Sequence, residues 1–305
     1  MTSTPGLAIT TSQLSRKFGP HRAVCDLNLD VPRGSVYGFL GLNGAGKSTT
    51  IRMLMGLLSA TSGSASVLGF DSAADDIDVK RHTGYVPDVP MFYEWMTARE
   101  TLAFAAHYRK GQWDARRAEC LLKVFQVPAQ QKMSALSKGM RAKISLILAL
   151  AFNPALLILD EPVGGLDPVA RRQFIEGVLA EYMDGERTIF ISSHMINEIA
   201  GLVDHVGILH KGQLIRSQTA EELLRGLKRV RLFFDGEAMK AYSCGGLVRF
   251  RADGREAQLI IDGFDPQKTP AELARMGAAQ IAVEDLSLED AFIEIVGGGS
   301  PDETE

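Results

Sequence analysis

The sequence predicts an α/β fold with a mainly parallel sheet. Short apolar segments alternate with stretches of helical periodicity, which is the pattern of strands joined by crossover helices. Residues 156–159 are a continuous apolar run, as expected for a strand covered on both faces of a parallel sheet. Residues 36–40 form a second such run and end at a glycine-rich loop, after which a helix is predicted over residues 47–58.

Capping patterns and periodicity indicate the other elements of this part of the chain. Thr97 and Glu100 have the spacing of a capping box, and mostly helical structure is predicted over roughly the next 40 residues. Asp167 before Pro168 is typical of a helix N-cap followed by proline at the first helical position. Further strands are predicted over residues 7–14, 23–31, 188–192 and 206–209.

The pattern changes near residue 227, where short strands replace the long alternation. These strands are predicted over residues 229–234, 247–252 and 258–262. Helices are predicted over residues 269–276 and 287–296. Residues 227–305 are therefore expected to form a small accessory α+β domain, whose tail, residues 297–305, is expected to be flexible.

Composition and charge exclude some classes of function. The chain has 305 residues and a formal net charge of −4, whereas chains that bind nucleic acid electrostatically are usually basic, so no nucleic-acid partner is predicted. Three scattered cysteines, Cys25, Cys120 and Cys244, fit a reducing cytosol rather than a disulfide framework. No signal peptide is predicted. The most apolar stretch, residues 144–159, contains Pro154 and is shorter than the ~20 residues of a spanning helix.

Residues 41–48 have the pattern of a phosphate-binding loop. Its glycines let backbone amides turn toward phosphates, and the helix that follows adds partial positive charge. Lys47 would neutralise the β- and γ-phosphates of ATP, and the Ser48 hydroxyl would ligate Mg²⁺. For the pattern alone, a glycine turn with a solvated lysine is the alternative. The predicted nucleotide contacts here are Gly41, Leu42, Asn43, Gly44, Ala45, Gly46, Lys47, Ser48 and Thr49.

Several further motifs occur in one order and together resemble the ATP-binding subunits of ABC transporters. They are residues 41–49 (Walker A), 136–140 (signature), 156–162 (Walker B), 165–167 (D-loop), 192–194 (H-loop) and the aromatic Phe18. The resemblance covers about residues 7–224. It implies a P-loop NTPase core with an antiparallel β-subdomain and an α-helical subdomain at about residues 88–150, all within an ATPase domain over residues 1–226.

The resemblance also implies roles for single residues. Glu161 would be the general base that polarises the attacking water, and His194 would contact the γ-phosphate. Asp160 would hold Mg²⁺, usually through water, and Phe18 would stack on adenine. The remaining implied roles belong to a head-to-tail dimer around two ATPs, in which Ser137 and Gly139 contact the γ-phosphate bound to the second copy and Asp167 bridges the copies. Taken singly, Ser137 is more typical of a helix cap, and His194 and Phe18 are more typical of structural packing.

Two positions depart from the family pattern. Asp88 occupies the position where the family usually has glutamine, so its coordination of Mg²⁺ is an open expectation. Lys138 and Met140 replace the signature's glycine and glutamine, whereas the implied phosphate contacts Ser137 and Gly139 are kept. Lys138 is expected either to point to solvent, the preferred interpretation, or to add positive charge near phosphate. Hydrolysis is expected to survive both departures.

The signature and the segment 287–293 are similar to those of ATPases that pair with multidrug, antibiotic or sodium export permeases. The resemblance implies a separate integral-membrane permease as partner and a cytoplasmic, peripheral position on the inner face of the cell membrane. Residues 89–96 are rich in aromatic residues and methionine and form a candidate docking surface for that permease, or ordinary packing. Two other functions stay open: a soluble ATPase acting on ribosomes or DNA, and a slowly hydrolysing regulatory or resistance protein.

Overall fold

The computed structural model of the protein describes residues 6–109, 111–182, 187–238, 242, 245–275 and 277–297, without the side chains of 180–182. The contacts between residues divide the chain into two compact units. The first unit comprises Met1–Met195 and Leu202–Ser217, and the second comprises Ile196–Gly201 and Gln218–Glu305. The expected flexible tail lies outside the described residues, apart from Gly297.

The first unit contains eleven strands, the last of which ends in the second unit, and six α-helices among the residues that the structure describes. The strands are β1 (Leu7–Phe18), β2 (His21–Leu27), β3 (Asp30–Pro32), β4 (Val36–Leu40), β5 (Ser62–Val67), β6 (Phe70–Asp71), β7 (Thr83–Val86), β8 (Leu156–Asp160), β9 (Thr188–Ser193), β10 (His205–His210) and β11 (Gln213–Thr219). The helices are α1 (Lys47–Leu54), α2 (Asp76–His82), α3 (Ala98–Tyr108), α4 (Ala115–Val124), α5 (Lys138–Leu150) and α6 (Pro168–Tyr182).

The core of the first unit is a six-stranded sheet in the order β11-β10-β4-β9-β8-β7, with β10, β4, β9, β8 and β7 parallel. All five residues of β8 and all six of β9 are buried, which confirms the predicted strand covered on both faces. The parallel register pairs Asp160 with Ser192 and Leu40 with Ser193. The carboxyl ends of the three central strands therefore meet at one edge of the sheet.

A second, antiparallel sheet in the order β2-β1-β5-β6, with β3 also paired to β1, lies in the same unit. Helices α3, α4 and α5 lie between β7 and β8 in sequence and form the helical region. The capping box is confirmed, because the Thr97 hydroxyl accepts from the Glu100 amide and the Glu100 carboxylate accepts from the Thr97 amide. The predicted fold class, a P-loop NTPase core with antiparallel and helical additions, is confirmed.

The second unit carries a four-stranded antiparallel sheet in the order β13-β14-β12-β15. Its elements are α7 (Ile196–Ile199), α8 (Ala220–Gly226), β12 (Leu227–Phe233), β13 (Leu247–Asp253), β14 (Glu256–Asp262), α9 (Thr269–Ala274), β15 (Gln280–Asp285) and α10 (Leu288–Gly297). One core cluster includes Leu259 and Leu273, and another includes Ile260 and Ala291. Alternate residues of β14 thus supply the two apolar clusters.

Some predicted boundaries were wrong. Helix α1 ends at Leu54, not at residue 58, because Gly56 takes a positive φ of 62°. The single strand predicted over residues 23–31 is two strands, β2 and β3, separated after Leu27. Helix α9 ends at Ala274, and Met276, at the predicted end, lies outside the described residues.

Candidate functional site

The glycine loop between β4 and α1 has a backbone that only glycine adopts without strain. Gly44 has φ 80° and Gly46 has φ 108°. A Cβ added to Gly46 would lie 2.4 Å from the carbonyl oxygen of Ala23, and one added to Gly41 would lie 2.7 Å from that of Leu209. Steric exclusion therefore fixes glycine at both ends of the loop, and the loop leads directly into the N-terminus of α1, where an anion is favoured.

Lys47 is the first residue of α1 and is only 5% exposed. Its Nζ donates hydrogen bonds to the carbonyl oxygens of Gly41 (2.6 Å) and Leu42 (3.2 Å), so the ammonium group is held under the loop. The same Nζ lies 3.0 Å from Glu161 Oε1. Oε1 makes no directed hydrogen bond, so this contact is an ion pair. A buried cation at this place is suited to a polyphosphate.

Asp160 ends β8 and is buried at 1% exposure. Its Oδ1 accepts hydrogen bonds from the hydroxyls of Ser48 (3.0 Å) and Ser192 (2.8 Å). Burial raises the pKa of Asp160 above its ordinary value, the two hydroxyls oppose this rise, and the charges of Asp88 and Glu161 add to it.

Glu161 takes a left-handed backbone conformation, with φ 47°. Its amide donates to the Ser192 hydroxyl (3.0 Å), and the strain is supported by the neighbouring strand β9. The Glu161 Oε2 atom lies 2.7 Å from His194 Nδ1 and accepts a longer bond of 3.3 Å from the His194 amide. The structure thus joins Lys47, Glu161 and His194 in one continuous chain of polar contacts.

The glycine loop, Asp88 and Glu161 line one cavity of about 360 Å³, a size that fits a small ligand. Phe18 stands at the same cavity, is 45% exposed, and has the guanidinium of Arg16 4.7 Å from its ring centroid. The lining residues are Phe18, His21, Ala23, Asn43, Gly44, Ala45, Gly46, Lys47, Ser48, Thr49, Asp88 and Glu161. Most of the predicted nucleotide contacts are therefore neighbours in space.

Two residues of this region, and the role of a third, were missed by sequence reasoning. His21 and Ala23 line the cavity, and Ser192 holds both Asp160 and the amide of Glu161. Gly19-Pro20 was a usable signal for His21, since the turn it marks pairs His21 with Phe18 across the hairpin. No sequence signal indicated the role of Ser192, because it depends on the register between β8 and β9.

Ser137, Gly139 and Asp167 are not among the described residues that line this cavity. Ser137 is the N-cap of α5, and its Oγ accepts from the Met140 amide (3.2 Å). Asp167 caps α6 in the same manner, accepting from the amides that follow Pro168, as the sequence predicted. A Cβ on Gly139 would lie 3.0 Å from Ala170 Cβ, so the two helix starts adjoin. Lys138 is exposed, and its Nζ occupies the space that a Cβ on Gly165 would need.

The residues present fit a magnesium ion. Within the described part of the chain, no group of three or more His, Cys, Asp or Glu side chains could hold a metal alone. Mg²⁺ is commonly held by one or two carboxylates together with phosphate oxygens, and Ser48, Asp160 and Asp88 offer such an all-oxygen set. The pKa of buried Asp160 is raised, so a divalent cation would favour its charged form.

The glycine loop, the buried lysine beneath it and the acidic ends of adjacent parallel strands define a P-loop nucleotide-binding protein. More narrowly, the chain belongs to the ABC transporter ATP-binding family. The family model described as "ABC transporter" matches residues 24–164. A second model, described as "AAA domain, putative AbiEii toxin, Type IV TA system", matches residues 129–200.

Curated relatives match along nearly the whole chain. The bacitracin transport ATP-binding protein BcrA of Bacillus licheniformis is 33% identical, and the match covers 96% of this chain and 98% of that protein. The daunorubicin/doxorubicin resistance ATP-binding protein DrrA of Streptomyces peucetius is 30% identical, and the match covers 99% of this chain and 96% of that protein. The chain is therefore an ATP-binding subunit of an ABC transporter, and the resemblance predicted from the sequence is confirmed.

Solved structures match the fold of the ATPase region. One described as the ATP-binding subunit of an ABC transporter is 31% identical, with a TM-score of 0.65, and the match covers 72% of this chain and 92% of that one. The cassette MJ0796, described as dimeric and bound to ADP and Pi, shares the fold at 21% identity and a TM-score of 0.62. The match covers 69% of this chain and 98% of that one. Among the described residues no helix is long and apolar enough to cross a membrane.

Proposed function

We propose that the protein hydrolyses ATP in a head-to-tail dimer and so drives a separate membrane permease that exports its substrate. The observation that carries this proposal is the contact chain from Lys47 through Glu161 to His194 at the carboxyl edge of the sheet. It places a carboxylate next to the cation expected to hold the γ-phosphate. A general base must lie within hydrogen-bond reach of the attacking water, directly beside the transferred phosphoryl group.

Each residue of the chain has a distinct chemical task in this proposal. Lys47 binds the β- and γ-phosphates. When ATP enters, the ion pair of Lys47 with Glu161 is replaced by contacts of Lys47 with phosphate oxygens. Glu161, released from that ion pair, accepts a proton from the attacking water. His194 orients Glu161 through Nδ1 and contacts the γ-phosphate. Mg²⁺, held near Ser48, Asp160 and Asp88, would supply charge neutralisation on the phosphates when bound. Phe18 offers its exposed ring face to the adenine.

A second copy completes the site in this proposal. Ser137 and Gly139 begin α5, where free amides and the helix dipole favour an anion, yet neither lines the cavity of its own chain. A head-to-tail pair would bring this helix start of one copy to the γ-phosphate of the other. The solved cassette MJ0796, which shares this fold, is described as dimeric, and a dimer is what this proposal requires.

The surface that would meet the permease is an exposed row of aromatic side chains, the aromatic strip, made of Tyr93, Trp95, Phe104 and Tyr108. Adjacent members contact one another, with ring centroids 4.9–5.5 Å apart. Trp95 is 66% exposed. Exposed contiguous aromatic surface is typical of a protein interface, and the relatives' names tie them to transport or drug resistance. The protein would then lie at the inner face of the membrane, with no nucleic-acid partner.

The deciding experiment measures phosphate release by the purified protein and its Glu161→Ala and Glu161→Gln variants, with Glu256→Gln as a matched control far along the chain. We expect the wild type to release phosphate from MgATP. Both Glu161 variants should lose at least about a hundredfold in turnover, the usual contribution of a general base, and still bind ATP. Full activity in Glu161→Ala would show that the base is assigned wrongly.

A second experiment tests the partnership. Sedimentation of Glu161→Gln should show a dimer with ATP and a monomer with ADP, because only ATP supplies the γ-phosphate that joins the copies. Purification from membranes should also retain a polytopic protein. Association with ribosomes or DNA instead would contradict the transport function.

A further inference from the structure

Glu94 lies between two exposed members of the aromatic strip, Tyr93 and Trp95. Its carboxylate accepts two hydrogen bonds from the guanidinium of Arg141, one from Nη1 to Oε1 (2.8 Å) and one from Nη2 to Oε2 (2.7 Å). Arg141 belongs to the first turn of α5. A two-pronged pair of this kind fixes orientation as well as distance, unlike most surface ion pairs.

The backbone of Glu94 contacts the other side of the same region. Its carbonyl oxygen accepts from the Ser134 amide (3.1 Å), and the carbonyl of Met96 accepts from Met133 (2.8 Å). An isolated bridge joins Thr97 and Lys132 just beyond. The segment that carries Trp95 is thus bonded along its length to the residues that lead into α5.

These contacts flank the signature loop, residues 136–140. Ser134 precedes the loop and Arg141 follows it, so one residue, Glu94, contacts the chain on both sides. Inside the loop the Ser137 hydroxyl caps the Met140 amide. A Cβ on Gly139 would lie 3.0 Å from Ala170 Cβ, so the start of α5 also packs closely on the start of α6.

We propose that Glu94 is a positioning residue that couples the aromatic strip to the signature loop. When an apolar helical segment of the membrane partner covers Tyr93 and Trp95, Glu94 moves Ser134 and Arg141 together and turns Ser137 and Gly139 toward the nucleotide held by the second copy. This inference rests on the proposed function, since the signature loop acts only in the ATP-bound dimer. The coupling is reciprocal: engagement of the loop by ATP must change the surroundings of Trp95.

Trp95 is itself the probe for this coupling, because the chain has only one other tryptophan, Trp113. The test uses full-length Glu161→Gln with Trp113→Phe, compared with the same protein carrying Glu94→Gln. Glutamine keeps the backbone contact and the size but loses the charged pair. Glu119→Gln, which removes an exposed arginine–glutamate pair between α3 and α4, is the matched control.

We expect ATP to shift Trp95 emission in the parent and in Glu119→Gln. In Glu94→Gln the shift should fall by half or more, and the ATP concentration for half-maximal dimerisation should rise about fivefold, whereas ATP affinity of the monomer stays within twofold. The double exchange Glu94→Arg with Arg141→Glu should restore part of the shift. Thermal unfolding of each variant shows whether the exchange has lowered its stability. A variant that is only less stable would still show the full Trp95 shift at saturating ATP.

Three outcomes overturn the proposal. An unchanged Trp95 shift in Glu94→Gln would remove Glu94 from the coupling. A parent that dimerises with ATP without any Trp95 response would show that the strip and the loop are independent. A parent that never dimerises with ATP would contradict the proposed function first, and the role of Glu94 with it.

Discussion

Glu161 Oε2 lies 2.7 Å from His194 Nδ1, and the opposite oxygen of the same carboxylate lies 3.0 Å from Lys47 Nζ. The carboxylate is therefore shared between a cation at the start of α1 and an imidazole after β9. The phosphate oxygens of a bound triphosphate would compete with Glu161 for the same ammonium group. In the proposed function, the binding of ATP is therefore the event that frees the Glu161 carboxylate to act as the base.

The first prediction concerns that shared carboxylate. His194→Ala should slow ATP hydrolysis by about a hundredfold, since it removes the group that orients Glu161. In Glu161→Gln, the same His194 change should add little, because residues that act as a unit are strongly non-additive. Single-turnover hydrolysis of the four proteins of this cycle measures the coupling. Independent, multiplicative losses would mean that His194 acts on the phosphate without Glu161.

The second prediction compares two glycines of the phosphate loop. Gly46→Ala combines a φ of 108° with a Cβ that would lie 2.4 Å from the Ala23 carbonyl oxygen. It should lower the free energy of unfolding by about 3 kcal/mol or more. Gly44→Ala has φ 80° but open space, so a loss of about 1 kcal/mol is expected. Urea unfolding measures both, and equal losses would contradict the steric argument.

The third prediction concerns pH and Asp160. Burial raises its pKa, so the stability that the protonated carboxyl contributes is present below about pH 3.8 and is lost as the pH rises through the folded-state pKa. Without nucleotide or metal, Asp160→Asn should therefore be more stable than the wild type at pH 7, on the order of 1 kcal/mol. This advantage should narrow toward pH 4.

Magnesium gives the matching control for Asp160. MgATP should stabilise the wild type far more than ATP with a chelator, and Asp160→Asn should lose most of that difference. Asp253→Asn, on an exposed strand end, should behave like the wild type. Thermal unfolding across pH and metal concentration measures both effects. A variant less stable than the wild type at pH 7 would show that the hydroxyl contacts outweigh the burial of charge.

The fourth prediction concerns Phe18. Phe18→Ala should weaken the binding of ATP and ADP alike by about tenfold, because stacking on a base is worth about 1–3 kcal/mol and does not involve the γ-phosphate. Phe18→Tyr should retain most of the affinity. Tyr108→Ala, which removes another exposed aromatic ring, should leave nucleotide binding unchanged. If Phe18→Ala binds nucleotide as tightly as the wild type, the adenine must bind elsewhere.

The phosphate loop could be predicted from the sequence because its chemistry is local: the glycines, Lys47 and Ser48 follow one another along the chain. Strand β1 was predicted too short for a physical reason that is not local. Ser15, a polar residue, is buried at 5% exposure by its hydrogen bonds to Asp26 in β2. A polar side chain satisfied by a partner on the neighbouring strand looks like a strand end in the sequence alone.

The ion pair of Lys47 with Glu161 was likewise hidden from the sequence. It depends on the left-handed backbone of Glu161 and on the strand register that brings Ser192 beside it. The break between β2 and β3, after Leu27, was missed because no glycine or proline marks it.

Helix α7 has a practical consequence for dissecting the protein. Although it begins two residues after His194, it belongs to the second unit, where Asn197 contacts Glu289 of α10. A chain shortened to its ATPase region would therefore keep an orphaned helical turn with Ile196 and Ile199, both buried in the full chain. Poor solubility of such a truncated protein would result from the exposure of these two isoleucines, not from a defect in nucleotide binding.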